Sequence, residues 1–353
     1  MVPRRTITTT RNLQTMTLNQ PVPGGIARTD FAPRRILSRL FVGAAMLLGA
    51  AAHAAYPERP IQLVISFPPA GATDILARAI GQKLSETLGQ SVVVENRPGA
   101  GGNIGLALAA KAAPDGYTFY LAAVTNAAIA AAAYSAQSSH LIKDFVPVAG
   151  VATVPHMLVV PTALPAQDVK QLISLFKSQP GKHNFASQGA GTLSHLESEV
   201  FKAAAGVDLV HVPYKGSSQA LPDLIAGSSS MMFDSIPASM PHVKSGKLRI
   251  LAVASGQRVS SLPDVPTVAE AGVKGFEANN LFGFSAPRGT PPAAIATMGK
   301  ALQTVLAAPE LRQRMEAQGV ELKYTPADVF GQQVEQEFRT WAKAVEMAKV
   351  KLD

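Results

Sequence analysis

Strand-like and helix-like hydrophobic patterns alternate along the chain from Ile61 onward. Residues 61–67, IQLVISF, are apolar and rich in β-branched side chains between flanking prolines, which predicts a buried strand. Apolar residues then recur at helical spacing up to Leu88, and Gly89 supplies a helix stop. Residues 68–74, PPAGATD, lead directly into this helix N-terminus. Its unpaired N–H groups and positive dipole end favour an anion, although ordinary strand–helix connections share the pattern.

The same alternation is repeated later in the chain. Strands at 91–95 and 117–122, with a helix over 104–113, complete a β-α-β-α-β order that is typical of a parallel sheet covered by helices. A second strand at 184–187 is followed by a loop of small residues and another helix. Two such units in separate lobes would hold a small anion between two helix N-termini, and closure of the lobes would bury it.

The order of elements also predicts where the lobes divide. The strand-like stretch 151–160, which Pro155 is expected to break, is the expected first crossing, and the three predicted helices after residue 291 suit a cover on the first lobe. Thr125 and Asn126 are expected at the end of a strand, where residues line the ligand crevice of an open α/β sheet. We predict an α/β fold with two parallel or mixed sheets flanked by helices and a ligand cleft between the lobes. The predicted division is lobe 1 at residues 56–156 plus 283–353 and lobe 2 at residues 157–282.

Most of the positive charge lies at the start of the chain. Residues 1–55 contain seven arginines and one acidic residue, so they carry +6 of the formal charge of +8. Arginines precede the uncharged apolar run 40–52, and Ala52-His53-Ala54 fits a cleavage site, which predicts a secretory signal peptide. Residues 1–33 are longer than a signal needs and suggest an over-extended start site. The rest of the chain is nearly neutral and has no basic stripe, which argues against nucleic acid as a partner.

The sequence lacks the motifs of several catalytic classes. There is no G-x-S-x-G nucleophile elbow, no H-E-x-x-H zinc motif and no cysteine. The glycines at 99–105 are spaced one residue away from the dinucleotide fingerprint, which favours a tight turn over a nucleotide site. We therefore expect no catalytic residues, no metal and no cofactor.

Several polar residues have two competing interpretations. Asp74 falls in the first helical turn, where it stabilises the dipole but would repel an anionic ligand unless it faces away. His195 either lines the site or is a structural residue, and His211, inside a strand, is more typical of a core residue. Asp234 follows a strand, where it either accepts from a ligand or caps the next helix. Tyr214 precedes a turn that would lie at the cleft.

Six stretches carry a resemblance to a known family. They are Tyr56–Arg78, Val92–Gly105, Pro114–Thr118, Gly189–Leu196, His211–Gly216 and Phe233–Arg249. In this order they resemble the Bug (TctC-like) family, the extracytoplasmic solute receptors of tripartite tricarboxylate transporters. The resemblance implies a two-lobed periplasmic binding protein whose opening loop and Ser187–His195 loop hold a ligand carboxylate.

Positions matching the family motifs give the predicted ligand-binding residues. They are Phe67, Pro69, Ala70, Gly71, Asp74, Thr125, Asn126, Ser187, Gly191, Thr192, Ser194, His195, Tyr214 and Asp234. Family members commonly have two glycines after the proline, and Ala70 stands at the first of them. Its methyl group would narrow the approach to the backbone there.

These observations predict a non-enzymatic, monomeric periplasmic receptor for a small carboxylate-containing metabolite. The resemblance implies that it delivers the ligand to the membrane permease subunits of a tripartite tricarboxylate-type transporter. The alternative is a periplasmic sensor that presents the same ligand to a membrane signalling partner. An exported hydrolase ranks third, because no nucleophile–base pair is visible.

Overall fold

The computed structural model describes residues 56–352, and the predicted signal peptide and leader, residues 1–55, lie outside this range. The described strands are β1 (Ile61–Ile65), β2 (Val92–Asn96), β3 (Thr118–Ala123), β4 (Phe145–Pro161), β5 (His183–Ser187), β6 (Leu209–Pro213), β7 (Met231–Ser235), β8 (Leu248–Val253), β9 (Asn279–Pro287) and β10 (Glu321–Pro326). The described helices are α1 (Ala72–Leu88), α2 (Asn103–Ala110), α3 (Val124–Ala133), α4 (Leu141–Asp144), α5 (Val169–Ser178), α6 (Leu193–Ala205), α7 (Ser217–Ile225), α8 (Ile236–Lys244), α9 (Pro292–Leu306), α10 (Pro309–Glu316) and α11 (Ala327–Met347).

The strands are joined through one continuous path of hydrogen-bonded neighbours, in the order β2-β1-β3-β9-β4-β7-β5-β6, with β8 and β10 also paired to β4. Strands β1, β2 and β3 are parallel, as are β5, β6 and β7, whereas β9 and β4 run antiparallel to their neighbours. The predicted mixed α/β architecture is therefore confirmed.

Strand β4 belongs to both halves of this path. Residues 145–155 pair with β9, and residues 156–161 pair with β7 and β8. The sheet therefore changes partners at the Pro155–His156 bond. Strand β9 pairs with β4 from Asn279 onward and with β3 from Phe282 onward, which brings the start of β9 into the first sheet. We propose a division into lobes at these two positions.

Two apolar cores lie on either side of this change of partners. In the first, Leu63 and Ile65 of β1 pack with Leu76, Ile80 and Leu84 of α1, and all five are fully buried. Gly89 ends α1 in the left-handed conformation, with φ 66°, as the sequence predicts.

The second core surrounds Phe185, Phe201 and Phe233. Val345 of α11 and Ile129 of α3 also belong to this cluster. Phe330 of α11 and Val124 of α3 instead belong to a separate cluster under β3. Helix α11 thus packs on both halves, not on the first lobe alone. None of the helices within residues 56–352 is both long enough and apolar enough to cross a bilayer.

Three sequence-based expectations need correction. The Ala-rich residues 124–133 form α3, so Thr125 and Asn126 lie in a first helical turn and not at a strand end. Pro155 does not interrupt β4, because the strand exchanges partners there. Strand β10 was missed because only three of its six residues are apolar, counting Pro326, and it pairs with β4 alone.

Gly283 provides a test of the packing between β9 and α11. A Cβ atom at this position would overlap the ring of Phe330, which is fully buried. We predict that Gly283→Ala lowers the free energy of unfolding by about 1–3 kcal/mol, measured by denaturant titration. Gly299→Ala is the matched control, because its nearest atom would be 3.8 Å away and α9 gains about 0.5–1 kcal/mol from alanine. Equal midpoints for the two variants would contradict this packing.

Candidate functional site

The loop after β1 brings the N-terminus of α1 to the boundary between the lobes. Gly71 is the N-cap residue, and no side chain in the described range caps this end of the helix. Gly71, Ala72 and Thr73 line a cavity of about 20 Å³. The N–H groups of the first turn and the positive end of the helix dipole are therefore available at this cavity.

Residues from both sides of the proposed lobe division contribute to this cavity. Its lining consists of Phe67, Pro68, Gly71, Ala72, Thr73, Asn126, His156, Gln188, Gly216, Ser217, Asn280 and Phe282. A second cavity of about 190 Å³ lies beside it and is lined by Ser66, Phe67, Gly99, Ala100, Gly101, Gly102, Tyr134, Gln188, Gly189, Ala190, Tyr214 and Lys215. Phe67 and Gln188 line both cavities and separate them.

Helix α7 begins opposite α1 across the small cavity. Its N-cap residue Gly216 has φ 135°, and no described side chain caps this helix either. A Cβ atom on Gly216 would lie 2.5 Å from Cγ of Pro68, so the two loops are in direct contact. Two uncapped helix N-termini, from opposite lobes, therefore border one small cavity.

The N-terminus of α6, which was the predicted partner of α1, is occupied differently. Asn126 accepts a hydrogen bond from the N–H of Leu193, with Oδ1 2.8 Å from the nitrogen. Asn126 is buried and lines the small cavity, so it closes this helix end from the side of α3. The predicted loop contributes Gln188 to the small cavity and Gly189 and Ala190 to the larger one.

The hydroxyl groups of this loop that were predicted to contact the ligand form hydrogen bonds with other groups of the second lobe. Ser187 Oγ lies 2.6 Å from Nε2 of His211, and Thr192 Oγ1 donates to the carbonyl of Gly189 at 2.7 Å. Ser194 donates to the carbonyl of Phe233. These three side chains are fully buried and line neither cavity, so their ligand contacts stay a prediction.

His195 is positioned by stacking. Its ring lies 3.9 Å from that of His211, and Nδ1 accepts from the N–H of Gly191 at 3.3 Å. Burial lowers the pKa of His195, and burial together with the neighbouring His195 and Lys202 lowers the pKa of His211 to about 3. Both rings are therefore neutral near pH 7. Gly191 itself is packed against the ring of Tyr134 and against Leu352.

Asp74 faces away from the small cavity. Its carboxylate accepts from Arg78, Asn96 and the N–H of Ala70 at 2.9–3.1 Å. Burial alone raises the pKa of Asp74, but these hydrogen bonds and the charge of Arg78 lower it below its ordinary value. The charge that would repel an anion is thus paired with Arg78 on the far side of the loop.

The remaining predicted residues occupy varied positions. Pro69 and Ala70 are exposed and line neither cavity. Thr125 donates to Glu337 at 2.6 Å and accepts from the N–H of Leu281, also away from both cavities. Tyr214 lines the larger cavity, and its hydroxyl donates to Asp223 at 2.8 Å.

Asp234 lies beneath the small cavity as a positioning residue. Its carboxylate accepts from Gln188 at 2.6 Å, from Ser217 at 2.7 Å and from Ser239. Gln188 and Ser217 both line the cavity. The alternative role as cap of the following helix is wrong, because Ser235 is the N-cap residue of α8.

Sequence reasoning missed five of the polar residues at the small cavity, and it also missed Gly216. The five polar residues are Thr73, His156, Gln188, Ser217 and Asn280. Gly216 and Ser217 follow a strand and begin a helix, which is the same signal that identified the opening loop. Thr73 and Gln188 lie in the two strand–helix loops that the sequence identified. His156 and Asn280 have no local signal, because only the pairing of distant strands brings them to the cavity. Within residues 56–352, no group of three or more metal-ligating side chains is arranged to hold an ion.

A family profile matches residues 76–349 of this chain, and its description is "Tripartite tricarboxylate transporter family receptor" (TctC). The chain belongs to this TctC family. The predicted Bug (TctC-like) resemblance is therefore confirmed. A curated relative from Pseudomonas sp. (strain P51), "UPF0065 protein in tcbD-tcbE intergenic region", is 40% identical over 292 residues, which cover 82% of this chain and 87% of the relative.

Solved structures of TctC-like proteins have the same fold. The periplasmic binding protein BugD is 35% identical, with a TM-score of 0.80 over 84% of this chain and 99% of BugD. R. palustris Rpa4515 with adipate is 36% identical, with a TM-score of 0.81 over 84% of this chain and 99% of that one. MatC from Rhodopseudomonas palustris with bound malate is 32% identical, with a TM-score of 0.76 over 82% of this chain and all of MatC.

Ala70 provides a test of the opening loop of this TctC-family chain. It has φ 65°, a left-handed conformation that costs an L-residue about 1–2 kcal/mol and that glycine adopts freely. The greater freedom of glycine in the unfolded chain offsets about 0.4–1 kcal/mol of this gain. We predict that Ala70→Gly raises the free energy of unfolding by about 0.5–1 kcal/mol in denaturant titrations.

The control is Ala203→Gly, at an exposed position within α6. There the helical conformation suits alanine, so we expect a loss of about 1 kcal/mol. A loss of stability in Ala70→Gly as large as in the control would rule out strain at this loop.

Proposed function

We propose that this protein is a periplasmic solute receptor that binds a small carboxylate between its lobes and delivers it to the membrane permease subunits of a tripartite tricarboxylate-type transporter. The observation that carries this proposal is the pair of uncapped helix N-termini, of α1 and α7, at one interlobe cavity. Backbone N–H groups and helix dipoles at such ends favour a carboxylate.

The chemistry of the lining supports an anionic group. Thr73 and Ser217 bring hydroxyl groups to the helix ends, and Gln188 adds an amide. Asp74 in the first turn of α1 and Asp234 beside Ser217 each accept hydrogen bonds from three protein groups. The adipate and malate bound by the family members Rpa4515 and MatC belong to the same ligand class.

The two cavities suggest how such a ligand lies. A volume of about 20 Å³ admits one water-sized group, such as one oxygen of a carboxylate, whereas the neighbouring 190 Å³ suits the body of a small acid. We expect one carboxylate to bind at the helix ends and the rest of the ligand to extend past Phe67 and Gln188. Both side chains must shift for the ligand to connect the cavities.

The cellular role follows from the same proposal. The predicted signal peptide would export the chain, and the receptor would act as a monomer with no enzymatic step of its own. Lobes that close on a ligand present a different surface to the permease in the bound and the free form, which gives the transporter a means of recognising loaded receptor.

Calorimetric titration of the exported form of the protein tests the proposal. The panel consists of malate, succinate, adipate, benzoate and an amino acid such as alanine. We expect heat of binding with at least one of the dicarboxylates and competition between those that bind. Absence of binding by every acid in the panel would overturn the proposal.

Gly216 links ligand binding to closure of the lobes. In Gly216→Ala the new methyl group would meet Pro68 across the cleft, so the closed form is destabilised by about 1–3 kcal/mol. We predict at least about tenfold weaker binding of the tightest dicarboxylate, measured by the same titration.

The control, Gly227→Ala, separates closure from backbone strain. Gly227 also has a positive φ, of 79°, but a Cβ atom there would have no neighbour within 4 Å. It should lose stability in the same way as Gly216→Ala and keep its affinity. Equal affinities in the two variants would show that contact at Pro68 plays no part in binding.

A further inference from the structure

A buried hydroxyl group fastens the first turn of α3 to the start of β9. Thr125 is fully buried, and its Oγ1 accepts a hydrogen bond from the N–H of Leu281 on β9 at 3.1 Å. Leu281 comes directly before Phe282, which pairs with Ala123, the last residue of β3. The side chain of Thr125 therefore continues the hydrogen bonding of β9 at the point where β3 has ended.

Helix α11 supplies the acceptor for the same hydroxyl group. Thr125 has one hydroxyl hydrogen, and Oε2 of Glu337, at 2.6 Å, is a closer acceptor than the carbonyl of Asn279, at 3.3 Å. The indole N–H of Trp341 donates to the same Oε2 at 2.8 Å. Because hydrogen bonds to a carboxylate are stronger than those between neutral groups, Glu337 holds Thr125 in one orientation.

Glu337 lies midway along a helix that packs on both lobes. Phe330, earlier in α11, belongs to the cluster under β3, whereas Val345, later in α11, belongs to the second core. The contact of Glu337 with Thr125 lies beside the start of β9, which enters the first sheet at Asn279. One hydroxyl group thus joins α11, α3 and β9 where the chain crosses between the lobes.

The next residue of α3 reaches across the proposed lobe division. Asn126 precedes the first crossing of the chain and Leu193 follows it, and Oδ1 of Asn126 accepts from the N–H of Leu193 at 2.8 Å. Both residues are buried. The loops of Pro68 and Gly216, from opposite lobes, are in contact in the same arrangement. A rotation that separates the lobes would lengthen the hydrogen bond between Asn126 and Leu193 and break it beyond about 3.5 Å.

The composition of α3 makes these hydrogen bonds important for its position. Of the seven residues after Asn126, six are alanines and only Ile129 has a larger side chain. Alanine buries little apolar surface, so packing alone fixes the helix weakly. Without the hydroxyl group of Thr125, the N–H of Leu281 loses its acceptor and the first turn of α3 is free to shift. Asn126 would then shift with it.

We propose that the hydrogen bond between Asn126 and Leu193 is a closure contact of the two lobes, and that Thr125 and Glu337 are positioning residues for it. They fix the first turn of α3, so that Asn126 meets the N-terminus of α6 when the lobes close. This inference rests on the proposed function. It makes the lifetime of the bound acid depend on two side chains, Thr125 and Glu337, that line neither cavity.

Amide hydrogen exchange of the wild-type protein tests the closure contact without a substitution. The probe is whichever of malate, succinate, adipate, benzoate and alanine binds most tightly in the calorimetric titration. Leu193 is the first residue of α6, so its N–H has no acceptor within the helix and reports on Asn126. We expect it to exchange at least about tenfold more slowly in the saturated protein. An exchange rate that the bound acid leaves unchanged would overturn the inference.

Thr125→Val tests the positioning role, because valine keeps the shape of threonine and lacks the hydroxyl group. We expect about tenfold weaker binding of the same acid, through faster dissociation at a nearly unchanged association rate in stopped-flow measurements. Thr125→Ser keeps the hydroxyl group and should stay within about threefold of the wild type. Thr304→Val, at an exposed position on α9 where the hydroxyl group donates to the carbonyl of Lys300, is the matched control and should leave both rates unchanged.

Glu337→Ala tests whether the two positioning residues act together. This variant should lose about as much affinity as Thr125→Val, and the double variant should bind no more weakly than either single variant. In all three, binding of the acid should no longer slow the exchange of the Leu193 N–H. Losses that multiply to about a hundredfold in the double variant would contradict the joint role.

The outcomes separate this inference from the proposed function. An acid that binds to Thr125→Val and Glu337→Ala with the affinity and dissociation rate of the wild type would overturn the positioning role and leave the proposed function standing. That result would hold even if both variants unfold more easily, because a merely structural role changes stability alone. Binding of no acid by the wild-type protein would overturn both.

Discussion

Helix N-termini meet at the boundary between two lobes, and the need of their backbone N–H groups for acceptors is the constraint on which this structure depends. Each terminus brings backbone N–H groups that need acceptors, and such groups are costly when they are buried without one. The N-terminus of α6 obtains its acceptor from Asn126. The N-termini of α1 and α7 have no side-chain cap in the described range, so the acceptor they require has to come from solvent or from a ligand. In the proposed function, closure of the lobes excludes solvent, and a ligand carboxylate is then the favourable acceptor.

Strand β4 makes this meeting of helices possible. It crosses from one sheet to the other without interruption, so the loops that precede α1 and α7 are held at opposite sides of the same crossing. Aspartates support the loops from behind: Asp74 binds Arg78, Asn96 and the N–H of Ala70, and Asp234 orients Gln188 and Ser217. The negative charges thus hold the two loops in shape from outside the cavity lining.

Local patterns in the sequence predicted the opening unit well. The strand, loop and helix from Ile61 to Leu88 depend on neighbours in the chain, and so do the helix end at Gly89 and the second unit around Ser187. The same reasoning failed where tertiary context decides. Alanine suits a helix, so the run after Val124 formed α3 even though the preceding strand β3 ends directly before it. Strand β10, with few apolar residues, is held by its pairing with β4 and has no periodicity of its own.

The residues of the candidate site fall into the same two groups, those that local sequence patterns predict and those that only tertiary context places. Phe67, Gly71, Asn126 and Tyr214 lie at the cavities because each follows or precedes an element that the sequence reveals. His156 and Asn280 lie there because β4 and β9 pair in one particular register, with Val154 opposite Asn280, and no local motif encodes a register. Ala70 is the opposite case, a residue that the sequence singled out but that lies away from both cavities. It departs from the family pattern, yet it is exposed, and its left-handed φ affects the backbone energy of the loop. We therefore expect the side chains that distinguish one ligand from another to lie where paired strands cross between the lobes, and less in the loops whose backbone N–H groups are proposed to bind the carboxylate.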